Sequence, residues 1–128
     1  MSRRELFPIV NVTAIPPVRA FYETVLGAST DYRYPEEGEP VYLTLRIGDS
    51  TLALGLGTGP AMYGETPLPA TGHAVDICVY VSDLDAAVEA APGGGGAVVV
   101  PPSDTPWGER VAYLRDPQGT MLLVIQDE

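Results

Sequence analysis

The stretches Val12-Thr-Ala-Ile15 and Val81-Ser-Asp-Leu84 are one strand-to-helix junction written twice, 69 residues apart. Ahead of the first, Phe7–Thr13 predicts a strand. Ahead of the second, Val75–Val81 sets Val75, Ile77, Val79 and Val81 against Asp76, Cys78 and Tyr80, the period-2 pattern of a half-buried strand. A helix follows each junction. Over Ile15–Gly27, Val18, Phe21, Tyr22 and Val25 fall on one face, and the two prolines lie in the first turn, where a missing N–H costs little. Gly27 is a natural C-terminal stop. Over Leu84–Ala91, Asp83 is the N-cap, and Pro92 with Gly93–Gly96 ends the helix.

Three strands follow each helix. In the first half they are Ser29–Tyr34, Val41–Ile47 and Thr51–Leu56, with an acidic turn at Pro35–Pro40 and a tight one at Gly48-Asp49. In the second they are Ala97–Pro101, Glu109–Arg115 and Thr120–Ile125, the last two joined by Asp116-Pro-Gln-Gly119. Thr51-Leu-Ala53 lies over Met121-Leu-Leu123 at an offset of 70. A long Gly/Pro-rich loop, Gly57–Gly72, separates the halves. The fold class is therefore α+β. Two βαβββ modules, about 5–57 and 73–128, make one domain. Their leucine and valine faces pack on the helices, on the convex side of a cupped mixed sheet. The opposite faces line a cleft.

Composition narrows the function. The formal net charge is −10, and all seven cations are arginine. Without lysine there is no Schiff-base, pyridoxal or P-loop chemistry. The acidity argues against nucleic acid, since phosphate binding needs a basic face. It fits a cationic ligand, and it equally fits plain solubility. One cysteine, Cys78, leaves no internal disulfide and no thiolate zinc cage. No apolar run is long enough to span a membrane and no signal peptide is read, so the cytoplasm is the expected location. Gly93–Gly96 follows a helix rather than leading one, so it is no phosphate loop. No G-x-S-x-G elbow accompanies the single His73.

Four segments in order carry a resemblance. Ala20-Phe-Tyr-Glu-Thr-Val-Leu-Gly27 resembles the first motif of the vicinal oxygen chelate superfamily (glyoxalase I, extradiol dioxygenases, bleomycin-resistance proteins). Val79–Asp85 resembles its second-half junction. Pro106-Trp-Gly-Glu109 and Leu114-Arg-Asp-Pro-Gln-Gly119 are similar to the bleomycin-resistance branch, as is Pro8 ahead of the first helix. The resemblance spans nearly the whole chain. It implies a homodimer with clefts between subunits and exchange of the N-terminal arm. The superfamily's enzymes take metal ligands from four strand positions, which here align with Phe7, Ala53, Asp76 and Leu123. A divalent ion needs three or four convergent N, O or S donors, so no metal and no other cofactor is expected.

What remains is an aromatic cleft. Tyr42 and Tyr80 fall on the faces away from the leucines, and Phe7, Tyr32, Tyr63, Trp107 and Tyr113 lie on strands or loops around them. Flat rings with polar tips suit stacking on a planar ligand, although some of these are expected to be ordinary strand aromatics. Asp76 and Arg46 have two readings each: contacts for a polar ligand group, or a pair satisfying one another. The expected binding set is Phe7, Tyr32, Tyr42, Arg46, Tyr63, Asp76, Tyr80, Trp107 and Tyr113, with no catalytic residue. The leading expectation is non-enzymatic sequestration of a planar, drug-like molecule, an aromatic natural product in the antibiotic-resistance manner. The alternative is a metal-independent enzyme of the same fold, with Asp76, His73 or Glu109 as its acid–base groups. A third reading is an interaction module without a pocket.

Overall fold

The computed structural model describes residues 5–57 and 75–128. Module 1 contains β1 (Ile9–Asn11), α1 (Ile15–Leu26), β2 (Ser29–Tyr34), β3 (Tyr42–Ile47) and β4 (Ser50–Gly55). Module 2 contains β5 (Ile77–Val81), α2 (Leu84–Ala90), β6 (Ala97–Asp104), β7 (Arg110–Arg115) and β8 (Met121–Gln126). Each module folds into a four-stranded mixed sheet, ordered β1-β4-β3-β2 and β5-β8-β7-β6. Each sheet has one parallel pair, β1 with β4 and β5 with β8. The repeat extends to register: Ile9 lies opposite Ala53 as Cys78 lies opposite Leu123. Among the described residues no helix is long and apolar enough to cross a membrane.

Local chemistry sets the element ends. Gly27 closes α1 in the left-handed conformation at φ 67°. The Asp83 carboxylate caps α2 by accepting from Ala86 N at 3.0 Å. Two strands differ from expectation. The first is shorter than Phe7–Thr13, and Phe7 precedes it. The other is β6, which runs past Pro101 and Pro102 to Asp104 rather than ending at Pro101. It is an edge strand with register shifts on either side of Val100, so two missing N–H groups break no central ladder.

The modules meet through their helices. Leu43, Leu45, Leu52 and Leu54 from module 1 join Leu84, Ala112, Leu114, Leu122 and Val124 from module 2 in one core, with Phe21 and Tyr22 buried in it. Phe21 needs the glycine run: a Cβ at Gly96 would overlap its ring and the Arg115 carbonyl oxygen. Tyr22 donates its hydroxyl hydrogen to Asp116 Oδ2 at 2.7 Å, and Asp116 Oδ1 accepts from Gln118 N and Thr120 N. Burial, with the Asp116 carboxylate beside it, pushes the Tyr22 phenol far above its ordinary range. Because both sheets turn their leucine faces to this one core, their other faces point away from it. Within one chain those open faces are not opposed across a cleft.

Candidate functional site

On module 1, the pairings Tyr34–Tyr42, Tyr32–Thr44 and Ser29–Arg46 set these side chains on the open face. A bulge decides which β2 residues join them. Thr30 pairs with Leu45, the register then shifts at Asp31, and Tyr32 pairs with Thr44. Without that extra residue, Asp31 and Arg33 would take the places of Tyr32 and Tyr34. The rings of Tyr32 and Tyr42 lie 6.2 Å apart at 60°. A depression of about 330 Å³ opens beside them, lined by Phe7, Tyr32, Tyr42 and Arg46 with Thr44, Thr51, Asp31 and Glu5. The half-buried Arg46 guanidinium lies 3.5 Å from Thr51 Oγ1. It makes no ion pair with Asp76, which lies on the other module, so the mutual-pairing reading fails. Four of the nine expected binding residues thus share one concavity that offers aromatic edges, two hydroxyls, a guanidinium and two carboxylates.

On module 2, Tyr80 pairs with Ile125 and Tyr113 with Leu123, which places both tyrosines on the open face. Tyr113 is half-buried, whereas Tyr80 and Trp107 are 63% and 71% exposed. Trp107 is nevertheless held. The hairpin between β6 and β7 is closed by Thr105 N donating to Glu109 O at 2.7 Å and by Thr105 Oγ1 accepting from Glu109 N at 2.9 Å. Gly108 turns the chain at φ 97°. The indole Nε1 then donates to Glu109 Oε1 at 2.8 Å, and the Tyr80 hydroxyl reaches Glu109 Oε2 at 3.5 Å. Glu109 was expected only as an acid–base candidate. Its place beside the ring follows from the i, i+2 spacing in Pro106-Trp-Gly-Glu109 across a tight turn.

Asp76 is exposed and precedes β5. The start of β5 lies beside Leu122 and Leu114, its end beside Ile125 and Val111. Asp76 and the Trp107–Glu109 pair therefore occupy opposite ends of the second sheet, and no acid–base pair is assembled from them. Tyr63 and His73 lie outside the described residues. The four metal-position residues do not fit a metal. Phe7, Ala53 and Leu123 carry no donor, and replacing Phe7 and Asp76 by Ile9 and Cys78, the residues in register with Ala53 and Leu123, gives a single thiol.

A larger trough, about 1130 Å³, runs between the N-terminal arm, α1 and the free edge of β5. Among the described residues, Tyr80 is the only expected binding residue along it. Its walls combine half-buried aliphatics such as Leu26, Ile47 and Val79 with the carboxylates of Glu5, Asp49 and Asp83. The expected aromatic binding residues that the structure describes gather instead on the two open faces.

Comparison with known proteins places these features in a family. Residues 8–124 match the glyoxalase/bleomycin resistance protein/dioxygenase superfamily. CFP32 of Mycobacterium bovis, a candidate glyoxylase, is 33% identical over 107 residues, covering 84% of this chain. The chain spans only 38% of that relative's length. Among solved structures, TioX from Micromonospora sp. ML1 superposes with a TM-score of 0.72 at 25% identity, over 97% of this chain and 98% of that one. A glyoxalase-related enzyme from Fulvimarina pelagi reaches a TM-score of 0.77 at 16% identity, over 98% and 89%. At that identity the likeness is one of fold.

Proposed function

This chain belongs to the glyoxalase/bleomycin resistance protein/dioxygenase superfamily, and from that premise we propose that it binds and sequesters a planar, drug-like molecule without transforming it, in a cleft built by two copies. The observation that carries the reading is the division of the candidate residues. Phe7, Tyr32, Tyr42 and Arg46 lie on one open face, Tyr80, Trp107 and Tyr113 on the other, and both faces turn away from a shared core. Each chain thus offers two half-sites. A symmetric pair of chains can set the first face of one copy against the second face of its partner, twice over. Exposed rings on both walls would then enclose a flat ligand.

The donor-poor positions Phe7, Ala53 and Leu123 support binding rather than metal-assisted turnover. The segment ahead of Pro8 is the arm we assign to the partner, and its exchange would carry Phe7 to the same first-face position on the other copy. Leu6 is 95% exposed, whereas the Pro8 carbonyl is already held by Ala53 N at 3.0 Å. Drug binding by mass action, as in antibiotic self-resistance, needs nothing more than affinity and abundance.

The test is a titration against a panel of planar antibiotics, followed through Trp107, the only tryptophan. Saturation at one ligand per chain, with the ligand recovered intact after denaturation, is the expected result. Recovery of an altered product in excess over protein would establish the enzymatic alternative. Sedimentation should show a dimer of the 13.6 kDa chain. A monomer that still saturates would remove the shared cleft.

A further inference from the structure

We propose that Glu109 is the charge-recognition residue of the second face, and that the ligand group seated between Trp107 and Tyr80 is an organic cation. This rests on the planar-ligand reading and names the chemistry of one end of that ligand.

Three observations carry it. The Glu109 carboxylate accepts from two neutral aromatic donors, the indole at 2.8 Å and the phenol at 3.5 Å, and makes no ion pair among the described residues. The adjacent cation, Arg110, is turned to Asp85 on α2 at 3.1 Å, so it does not neutralise Glu109. The rings that Glu109 holds are the two most exposed on this sheet, and the hairpin beneath them is fixed by paired Thr105–Glu109 hydrogen bonds. An exposed tryptophan pinned in one orientation presents a ready ring face, with no side-chain ordering left to the binding step. A protonated amine over an indole or phenol face is attracted by the ring quadrupole. A formal negative charge shared between both ring edges adds to that attraction. Neutral planar ligands gain the stacking but not the charge term. The module 1 depression differs in setting a guanidinium, Arg46, and two hydroxyls beside the Asp31 and Glu5 carboxylates.

The experiment compares two tricyclic probes by calorimetry on the full chain near neutral pH: 9-aminoacridine, which is protonated there, and acridone, which is neutral. Wild-type protein should prefer the cation by about fivefold or more, and the preference should shrink as salt is raised. Glu109→Gln keeps an oxygen acceptor for the indole but removes the charge. It should abolish the preference, with 9-aminoacridine losing far more affinity than acridone. Glu109→Ala should weaken acridone as well, because Trp107 loses its tether. Persistence of the preference in Glu109→Gln, with acridone bound normally, would overturn the charge assignment alone, as would equal binding of both probes by the wild type. Failure of both probes to saturate would overturn the planar-ligand reading together with this one.

Discussion

The open faces of the two modules are built on matching strand registers and have come to different chemistry. On the first, Tyr32, Tyr42 and Phe7 surround Arg46, two threonine hydroxyls and the Asp31 and Glu5 carboxylates in a shallow concavity. On the second, Tyr80 and Trp107 stand clear of the surface, tied at their polar tips to one carboxylate. The difference teaches that the repeat constrains only what packs inward. Leu43, Leu45, Leu52 and Leu54 have counterparts in Ala112, Leu114, Leu122 and Val124 because both sets fill one core. The outward positions answer to whatever each face meets. A pseudo-symmetric scaffold can thereby present an asymmetric pair of walls.

The comparison depends on the joint that holds the faces apart, and breaking that joint should have the largest effect. Gly96→Val puts a side chain into the Phe21 ring and the Arg115 backbone oxygen. A flexible tip could move aside; a carbonyl in a strand cannot. The cost should be about 3 kcal/mol or more, read as a lower urea midpoint. Binding at both faces should fail together.

Tyr22→Phe loosens the joint without filling it. Asp116 Oδ2 loses its only described donor in a buried setting, while Oδ1 keeps two backbone N–H groups. We expect a loss of about 1–2 kcal/mol at neutral pH. The pH dependence has a definite sign. The unfolded chain releases the tyrosine proton near the ordinary value of 10.0, whereas the buried native phenol holds it to higher pH. Above pH 10.0 the unfolded state therefore binds fewer protons than the native state, and stability falls as pH rises. The gap between wild type and Tyr22→Phe in urea midpoint should narrow as pH is raised past that point. A constant gap would mean that the phenol is not held neutral by the fold.

Much of this architecture is legible in the sequence, and the illegible parts share a cause. The βαβββ order and most strand ends follow from alternation and from Asp83, Gly27 and the proline positions, all local signals. The bulge at Asp31 is not local in that sense. It is a mismatch between β2 and β3, visible only once both strands are paired, and it decides that Tyr32 faces outward. The Tyr22–Asp116 bond joins residues in different modules, and nothing near either one announces the other. The helix-to-helix meeting of the modules, which turns the faces apart, is likewise a property of the shared core. Hence the exposed aromatics could be named from the sequence, but not the division of the described ones between two open faces. Glu109 was visible as a charge beside Trp107, yet its bond to the indole needed the hairpin geometry.

Among the faces themselves, Trp107→Ala should have the larger effect. It removes the most exposed ring of the second wall and frees Glu109 from one of its two aromatic partners. Lost stacking and area together predict about tenfold weaker binding of a planar probe, with the dimer and the urea midpoint unchanged. A tenfold loss from a first-face substitution such as Tyr32→Ala, with Trp107→Ala silent, would assign the ligand to the first face alone.

The smallest expected effect is at Asp76, the carboxylate that the sequence pattern favours for cation attraction. It is exposed, precedes β5, and is separated from Tyr80 by most of that strand's length, roughly 13 Å at about 3.3 Å per residue. That exceeds the Debye length of about 8 Å at physiological ionic strength, so its field at the Trp107–Glu109 end is largely screened. Asp76→Asn should therefore change the affinity for 9-aminoacridine by less than about twofold, and raised salt should erase even that. Titrating Asp76→Asn beside Glu109→Gln ranks the two carboxylates directly. If Asp76→Asn proves the more damaging, the cation sits at the start of β5, near Tyr113 and Cys78. The second wall must then be redrawn around that end of the sheet, with the Trp107 hairpin as its rim.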